Sequence, residues 1–506
     1  MTSRSELRAG LRSVGLNTSY QIGSQVAPAV SAIAAIPFLL RHLGSEAFGI
    51  MTLFATALVY FTMLDLGLGR AATRFIAQSI EANRPDELRH YFWGSILLLT
   101  GVGLTATAVA VLAVPTMVSR LLKISPGYVH DASQSFYIIC MTIPLVTLMA
   151  TFRGFLEAWG RFPYISIVTG FGGVSLYLLP ALTVSMGGSL VSVAAALALV
   201  RVAMCGALIA GCLYTDRRPS LSPIFDMAAV KRMLSFGGWL SVSNIVGTAT
   251  IYCDRLLIGI CVGIAAVTTY GMPLDVIGRL QVVITSFSAV LFPLMSRLDV
   301  SESGHFETVY RVAMAIVLSL MTLIATGAAL TAPAIMKLWL GGRSTLDLVF
   351  VAQVFLAGAV VQSMSSIAWT ALHARGRSDL TAFLHLAEFP LYVGVFYFAA
   401  TRYGVRGAAL AWLGRGIVDF LCMAILLRTQ KKDGTLNTPP ELVAAIVSLS
   451  ILLLAVLPKV DAVLLASGIC GLTFIWTWRM VLDPATRLQV IRAMVGWWNP
   501  RPAEQY

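Results

Sequence analysis

Ser235–Leu280 reads SFGGWLSVSNIVGTATIYCDRLLIGICVGIAAVTTYGMPLDVIGRL, and this stretch decides the fold. It is two apolar runs, the first interrupted by Asp254 and Arg255, the second by Asp275 and Arg279. A charge deep in a bilayer costs roughly 2.5–3.5 kcal/mol even on the lenient insertion scale, so it faces a partner or a water-filled cavity. Charges retained in such surroundings mark the place to look for a function.

Outward from that stretch the pattern repeats. Of 506 residues, 58 % are hydrophobic and only 12 % charged, with a mean hydropathy of +0.82. Soluble domains carry about a quarter charged residues, so the composition predicts an all-α polytopic membrane protein. With about 20 apolar residues per crossing, fourteen spans are expected, near 19–40, 48–67, 92–117, 134–152, 164–185, 190–213, 236–260, 270–295, 310–335, 348–372, 380–400, 406–428, 441–457 and 461–480. The apolar run at 21–40 follows Arg4, Arg8 and Arg12 but is too long for a signal-peptide core, which makes it an uncleaved first span.

The net charge of +12 is spread in twos to fours between apolar runs, not on one amphipathic face, which argues against a nucleic-acid partner. Of the 36 basic residues, 24 fall on the N-terminal side of the expected spans and 8 on the other, leaving Arg201, Arg255, Arg279 and Arg415 inside spans. The positive-inside rule then puts both termini in the cytoplasm. Beyond the last span, Leu488, Ile491, Val495 and Trp498 recur at helical spacing opposite Arg487 and Arg492, the pattern of a helix on the inner membrane surface.

Sliding the chain by 222 residues lays Phe48-Gly49 on Tyr270-Gly271, a weak internal repeat. It divides the chain into an N-terminal lobe at 1–215, a C-terminal lobe at 216–430 and an appendix at 431–506 holding the last two spans and the tail. Repeated lobes are the common plan of alternating-access transporters, with the substrate site between repeats. Pro28, Pro37, Pro144, Pro180, Pro273, Pro293 and Pro390 fall inside spans, where kinks are tolerated beside neighbours or water.

Eight ionisable residues lie inside spans: Arg201, Asp254, Arg255, Asp275, Arg279, Glu388, Arg415 and Asp419, with zero net charge. Asp275–Arg279 and Arg415–Asp419 are each one turn apart and can neutralise each other along one helix. Arg201 has no acid on its own span. Asp254 and Arg255 point about 100° apart on a helix, so one faces a cavity and the other a neighbouring helix. Four guanidiniums suit an anion with several oxygens, because the planar fork matches phosphate and carboxylate. Asp254 and Glu388 are the candidate acids for a coupling proton or cation.

Other chemistry leaves no trace. The seven cysteines sit in apolar runs without CxxC spacing, and the six histidines form no i, i+4 pair, so neither metal site nor cofactor is expected. There is no GxxxxGK[ST], HExxH or GxSxG. Transport is the reading that remains, and an enzyme is not expected.

SYQIGSQVAPAVSAIAAIPFLLRHLGSEAFGIMTL, LDLGLGRAATRFIA, FGGWLSVSNIV, YCDRLLIG, YGMPLDVIGRL, ALHARGRSDLTAFLHLAEFPLYVG and YGVRGAALAW together cover residues from about 15 to 430. They resemble bacterial oligosaccharide flippases, the polysaccharide-transporter branch of the multidrug/oligosaccharidyl-lipid/polysaccharide exporter superfamily. The family's second-helix Leu-Asp-Leu-Gly matches Leu64-Asp65-Leu66-Gly67, and its Gly-Gly-Trp and Asp-Arg elements match Gly237-Gly238-Trp239 and Asp254-Arg255. The resemblance implies two six-helix lobes around a V-shaped cavity in the bacterial inner membrane. It also implies transfer of an undecaprenyl-diphosphate-linked oligosaccharide, a precursor of O-antigen or exopolysaccharide, from the cytoplasmic to the periplasmic leaflet. Its partners would be that glycan, membrane lipids, and the glycosyltransferases and polymerase of the same assembly line. The alternative within the superfamily is a cation-coupled multidrug exporter, which would want unpaired acids where this chain has arginines.

Overall fold

The computed structural model describes residues 4–65, 67–216, 226–300, 305–429, 446–447, 450–451 and 459–477. Leu66, Arg217, Arg218, Lys431, Lys432, most of the expected span 441–457, the tail helix and the side chains of Gly237-Gly238-Trp239 lie outside the described residues. Among the described residues there is no strand. The helices are α1 (Arg4–Met63), α2 (Leu68–Glu81), α3 (Pro85–Thr116), α4 (Pro126–Cys140), α5 (Ile143–Ala158), α6 (Phe162–Ser185), α7 (Leu190–Thr215), α8 (Met227–Cys261), α9 (Ile264–Ile277), α10 (Gln281–Val300), α11 (His305–Leu340), α12 (Leu346–Ala374), α13 (Ser378–Thr429) and α14 (Lys459–Trp476).

Eight helical segments of 24 to 52 residues are long and apolar enough to cross a membrane. Their outward faces invert the logic of a soluble protein: Leu112, Phe383 and Leu338 are among the most exposed residues, as expected where lipid is the solvent. The chain is an all-α polytopic membrane protein.

Two helices are too long for one crossing, and each is broken by a glycine. In α1 it is Gly44 at φ 80°, and in α13 it is Gly404 at φ 61°. Both values lie in the left-handed region, where a Cβ clashes with the neighbouring carbonyl and only glycine is readily accommodated. Each helix therefore holds two of the segments that the sequence separates, 19–40 and 48–67 in α1, 380–400 and 406–428 in α13. The expected span 270–295 is broken instead, α9 giving way to a 3₁₀ turn at Gly278–Leu280 before α10 begins.

Internal contacts divide the chain into two compact units, Met1–Met272 with Phe396–Val405 and Pro273–Val395 with Arg406–Tyr506. The core of the first unit joins α2, α3, α5 and α7 through Leu68, Ile76, Phe92, Leu99, Phe155 and Met204. The second is built on α12, which packs against α10 and α11 and buries Val351, Phe355, Val360, Met364 and Ile367.

Within the first unit the repeated pairs Phe48-Gly49 and Tyr270-Gly271 meet at one crossing of α1 with α9. A Cβ added to Gly49 would stand 2.3 Å from the Ile264 carbonyl oxygen, and one on Gly271 would stand 3.1 Å from Thr52 Cγ2. Thr268 Oγ1 donates to the Ser45 carbonyl at 2.5 Å in the same crossing. The small residues are there because the backbones approach, the usual device of helices packed in lipid.

Candidate functional site

The structure places five of the eight intramembrane charges in two clusters, Asp254 and Arg255 in the first unit and Glu388, Arg415 and Asp419 in the second. Among the described residues, the buried charged side chains are Asp254, Arg255, Glu388 and Asp419.

In the first unit Asp254, wholly buried on α8, accepts a hydrogen bond from Tyr270 Oη of α9 at 2.8 Å through Oδ2. Its Oδ1 accepts from the Arg255 backbone N–H at 2.7 Å. Tyr270 is itself fully buried and meets Phe396 edge to face, with ring centroids 6.1 Å apart. The phenol thus satisfies the acid and anchors α9 on α8. The Arg255 side chain passes Gly271, where an added Cβ would stand 4.0 Å from the guanidinium Nε. The adjacent charges face different neighbours, as a 100° turn per residue requires.

Arg201 stands apart on α7. It is half-buried, its Nη1 lies 3.7 Å from Met204 Sδ of its own helix, and no carboxylate among the described residues pairs with it. Asp275 lies in the last turn of α9, and Arg279 follows in the 3₁₀ turn Gly278–Leu280, where the pitch is tighter than in an α-helix.

The break at Gly404 turns α13 into two arms, whose residues 378–395 and 406–429 lie in the second unit. From the first arm Glu388 reaches Arg415 of the second, Oε1 to Nε at 3.5 Å, with both side chains largely buried. The guanidinium also lies over the Tyr392 ring, 5.2 Å from its centroid. Asp419, one turn beyond Arg415, meets His385 Nε2 at 3.3 Å and accepts a 2.5 Å hydrogen bond from Ser365 Oγ of α12. Glu388, read from sequence as a lone acid, therefore has a cation beside it. The ligand atoms of His385, Glu388 and Asp419 lie within 4.8 Å of one another, compact enough for a metal ion.

His385 and Ser365 carry no sequence signal, because only the fold of α13 and its packing on α12 bring them to Asp419. Of the four arginines, Arg201 and Arg255 belong to the first unit and Arg279 and Arg415 to the second.

The Leu64-Asp65-Leu66-Gly67 element performs a structural task at the start of α2. Asp65 Oδ1 accepts from the Gly67 N–H at 3.0 Å, closing the turn that launches the helix. Thr73 of α2 then reaches Glu157 of α5, which pairs with Arg153 at 2.8 Å. α2 falls between the expected spans 48–67 and 92–117, and its Leu68, Ala71, Ala72 and Ile76 are all buried. None of the seven cysteines forms a disulfide.

A multi-pass helical membrane protein with charges clustered inside apolar helices is the class that this architecture defines. Within it, residues 14–299 match the model of the polysaccharide biosynthesis protein family, and the chain belongs to that family. A Shigella flexneri protein whose name gives it provisionally as an O-antigen transporter is 27 % identical over 412 residues, covering 80 % of this chain and 96 % of its own. Two solved structures share the fold. The inward-facing form of a multidrug resistance transporter of the MATE family gives a TM-score of 0.69 at 17 % identity, covering 82 % of this chain and all of its own. The inward closed form of the lipid II flippase MurJ gives 0.67 at 12 % identity, covering 95 % and 99 %.

Proposed function

We propose that this protein is a flippase carrying an undecaprenyl-diphosphate-linked oligosaccharide across the bacterial inner membrane, from the cytoplasmic to the periplasmic leaflet, for surface polysaccharide assembly. In this reading fourteen spans keep both termini in the cytoplasm, two six-helix lobes alternate access to a cationic cavity, and no bond is made or broken. The family and the O-antigen relative support the substrate class. The observation that carries the proposal is Arg201, a cation kept within an apolar helix with no carboxylate among the described residues to neutralise it. A guanidinium held at such cost is suited to an incoming anion, and a lipid diphosphate supplies one.

Arg255, Arg279 and Arg415 complete the proposed set of substrate-binding cations, with Asp254 and Glu388 as coupling acids. Each elementary charge crossing 100 mV is worth roughly 2.3 kcal/mol, so outward movement of a diphosphate is favoured by a negative interior without nucleotide hydrolysis. Deletion of the coding sequence tests the reading. Complete lipid-linked glycan should accumulate facing the cytoplasm, and surface polysaccharide should disappear. Normal polysaccharide in the deleted strain would refute it. The buried acids favour a second reading, a cation-coupled multidrug exporter, which predicts instead that deletion sensitises cells to cationic drugs.

A further inference from the structure

We propose that His385 and Asp419 form a one-proton site, completed by Glu388 and Arg415, at the junction of the two arms of α13. Glu388 and Asp419 together bring two negative charges, and Arg415 brings one positive charge. With His385 neutral, the quartet holds one uncompensated negative charge in a largely buried setting, which is unfavourable unless another charge joins it. One proton on His385 turns the quartet into two neutral pairs, His385 with Asp419 and Arg415 with Glu388.

The geometry agrees with a ligand still to be accommodated. The Glu388 side chain is 6 % exposed, yet neither of its oxygens accepts a hydrogen bond among the described residues. Asp419 Oδ1 faces His385 at 3.3 Å without an aligned hydrogen bond. Its Oδ2 is already held by Ser365. These three side chains lie within 4.8 Å of one another, so a proton placed on His385 is felt by both acids. A metal ion suits the site less, because the Arg415 guanidinium stands 3.5 Å from Glu388 and opposes a second cation. Imidazole needs no coordination shell and takes a proton on a ring nitrogen, which suits it to this setting.

Tyr392 lies under Arg415 on the first arm, Cys422 stands near both carboxylates on the second, and His373 of α12 neighbours His385. None of them brings a fixed positive charge, so the balance falls to His385. As the coupling site of the transporter this rests on the proposed function, whereas the proton site itself does not.

The test is nuclear magnetic resonance of ring-¹⁵N histidine in the full chain, embedded in nanodiscs, with choline replacing sodium. One ring should change protonation state with pH and be absent from His385→Gln. In Glu388→Gln, which removes one charge and leaves His385 in place, the proton affinity of that ring should fall by about tenfold or more, the effect of removing one charge at this range. In Arg415→Gln it should rise by a similar factor. Ser365→Ala, which keeps every charge, should leave the factor small and provides a variant that folds if the charge changes do not. A His385 ring that ignores both charge changes overturns the proposal. So does competition by sodium, which would make the site a metal site. Because the readout uses no lipid substrate, failure of the flippase reading leaves it standing, and the converse also holds.

Discussion

The two buried charge clusters solve one problem in different ways. At Asp254 one acid and one base sit on consecutive residues, and a phenol from the next helix takes up the carboxylate through a 2.8 Å hydrogen bond. At Glu388 and Asp419 two acids share one guanidinium, a half-buried imidazole and a single serine hydroxyl. The first cluster is built to hold a charge still. The second is short by one positive charge, and its occupancy by a proton sets its electrostatics. A membrane protein can therefore keep one intramembrane acid for architecture and another for chemistry, and the neighbours distinguish the two.

Breaking the pairs should expose that difference. Removing a single partner from a buried ion pair costs about 3–5 kcal/mol because it strands the other charge. Arg415→Leu should therefore show the largest loss of thermal stability at mildly alkaline pH, and adding Glu388→Gln should restore most of it. If the double variant is no more stable than the single one, the pairing across α13 is not energetically coupled. Ser365→Ala removes a hydrogen bond to a carboxylate and should cost about 1.5–3 kcal/mol, read from the denaturation midpoint in the same nanodiscs.

Tyr270→Phe tests the other side of the comparison. It strips Asp254 of its hydroxyl donor while preserving shape, and a loss of about 1–3 kcal/mol is expected. That loss should not depend on the state of His385, and a strong mutual dependence would contradict separate roles. Arg201→Ala should have the smallest effect on stability, about 0.5 kcal/mol or less, while glycan export falls sharply. Unchanged export in that variant would remove the anion-binding role. Exchanging Asp275 and Arg279 by Asp275→Arg with Arg279→Asp should preserve export if the two only neutralise each other, and loss of export would give Arg279 a direct part.

Much of the fold was legible because lipid imposes a simple grammar. Runs of about 20 apolar residues announce helices, and almost every expected span has a helical counterpart among the described residues. The breaks were harder to place. Gly44 and Gly404 look like many other glycines until the backbone shows their positive φ. The amphipathic α2 gives no span signal, because 14 residues with charges on one face fall below the length and hydropathy of a crossing.

The charged residues themselves were legible, since a charge in an apolar run is visible in one dimension. Their partners were not. Glu388 and Arg415 are separated by the bend at Gly404, and Ser365 comes from another helix, so i, i+4 spacing offered only the Arg415–Asp419 neighbour. His385 was passed over for a similar reason, because a lone histidine acquires meaning only from what packs against it.

The most direct measurement of the central claim is flipping by purified protein in vesicles, using a fluorescent polyprenyl-diphosphate glycan on one leaflet. Wild-type protein should move this lipid, flipping should speed up when the substrate-loaded side is made negative, and Arg201→Ala should lose most of the rate. Equal movement of an uncharged polyprenyl glycan, or a rate indifferent to both voltage and Arg201, would contradict that claim.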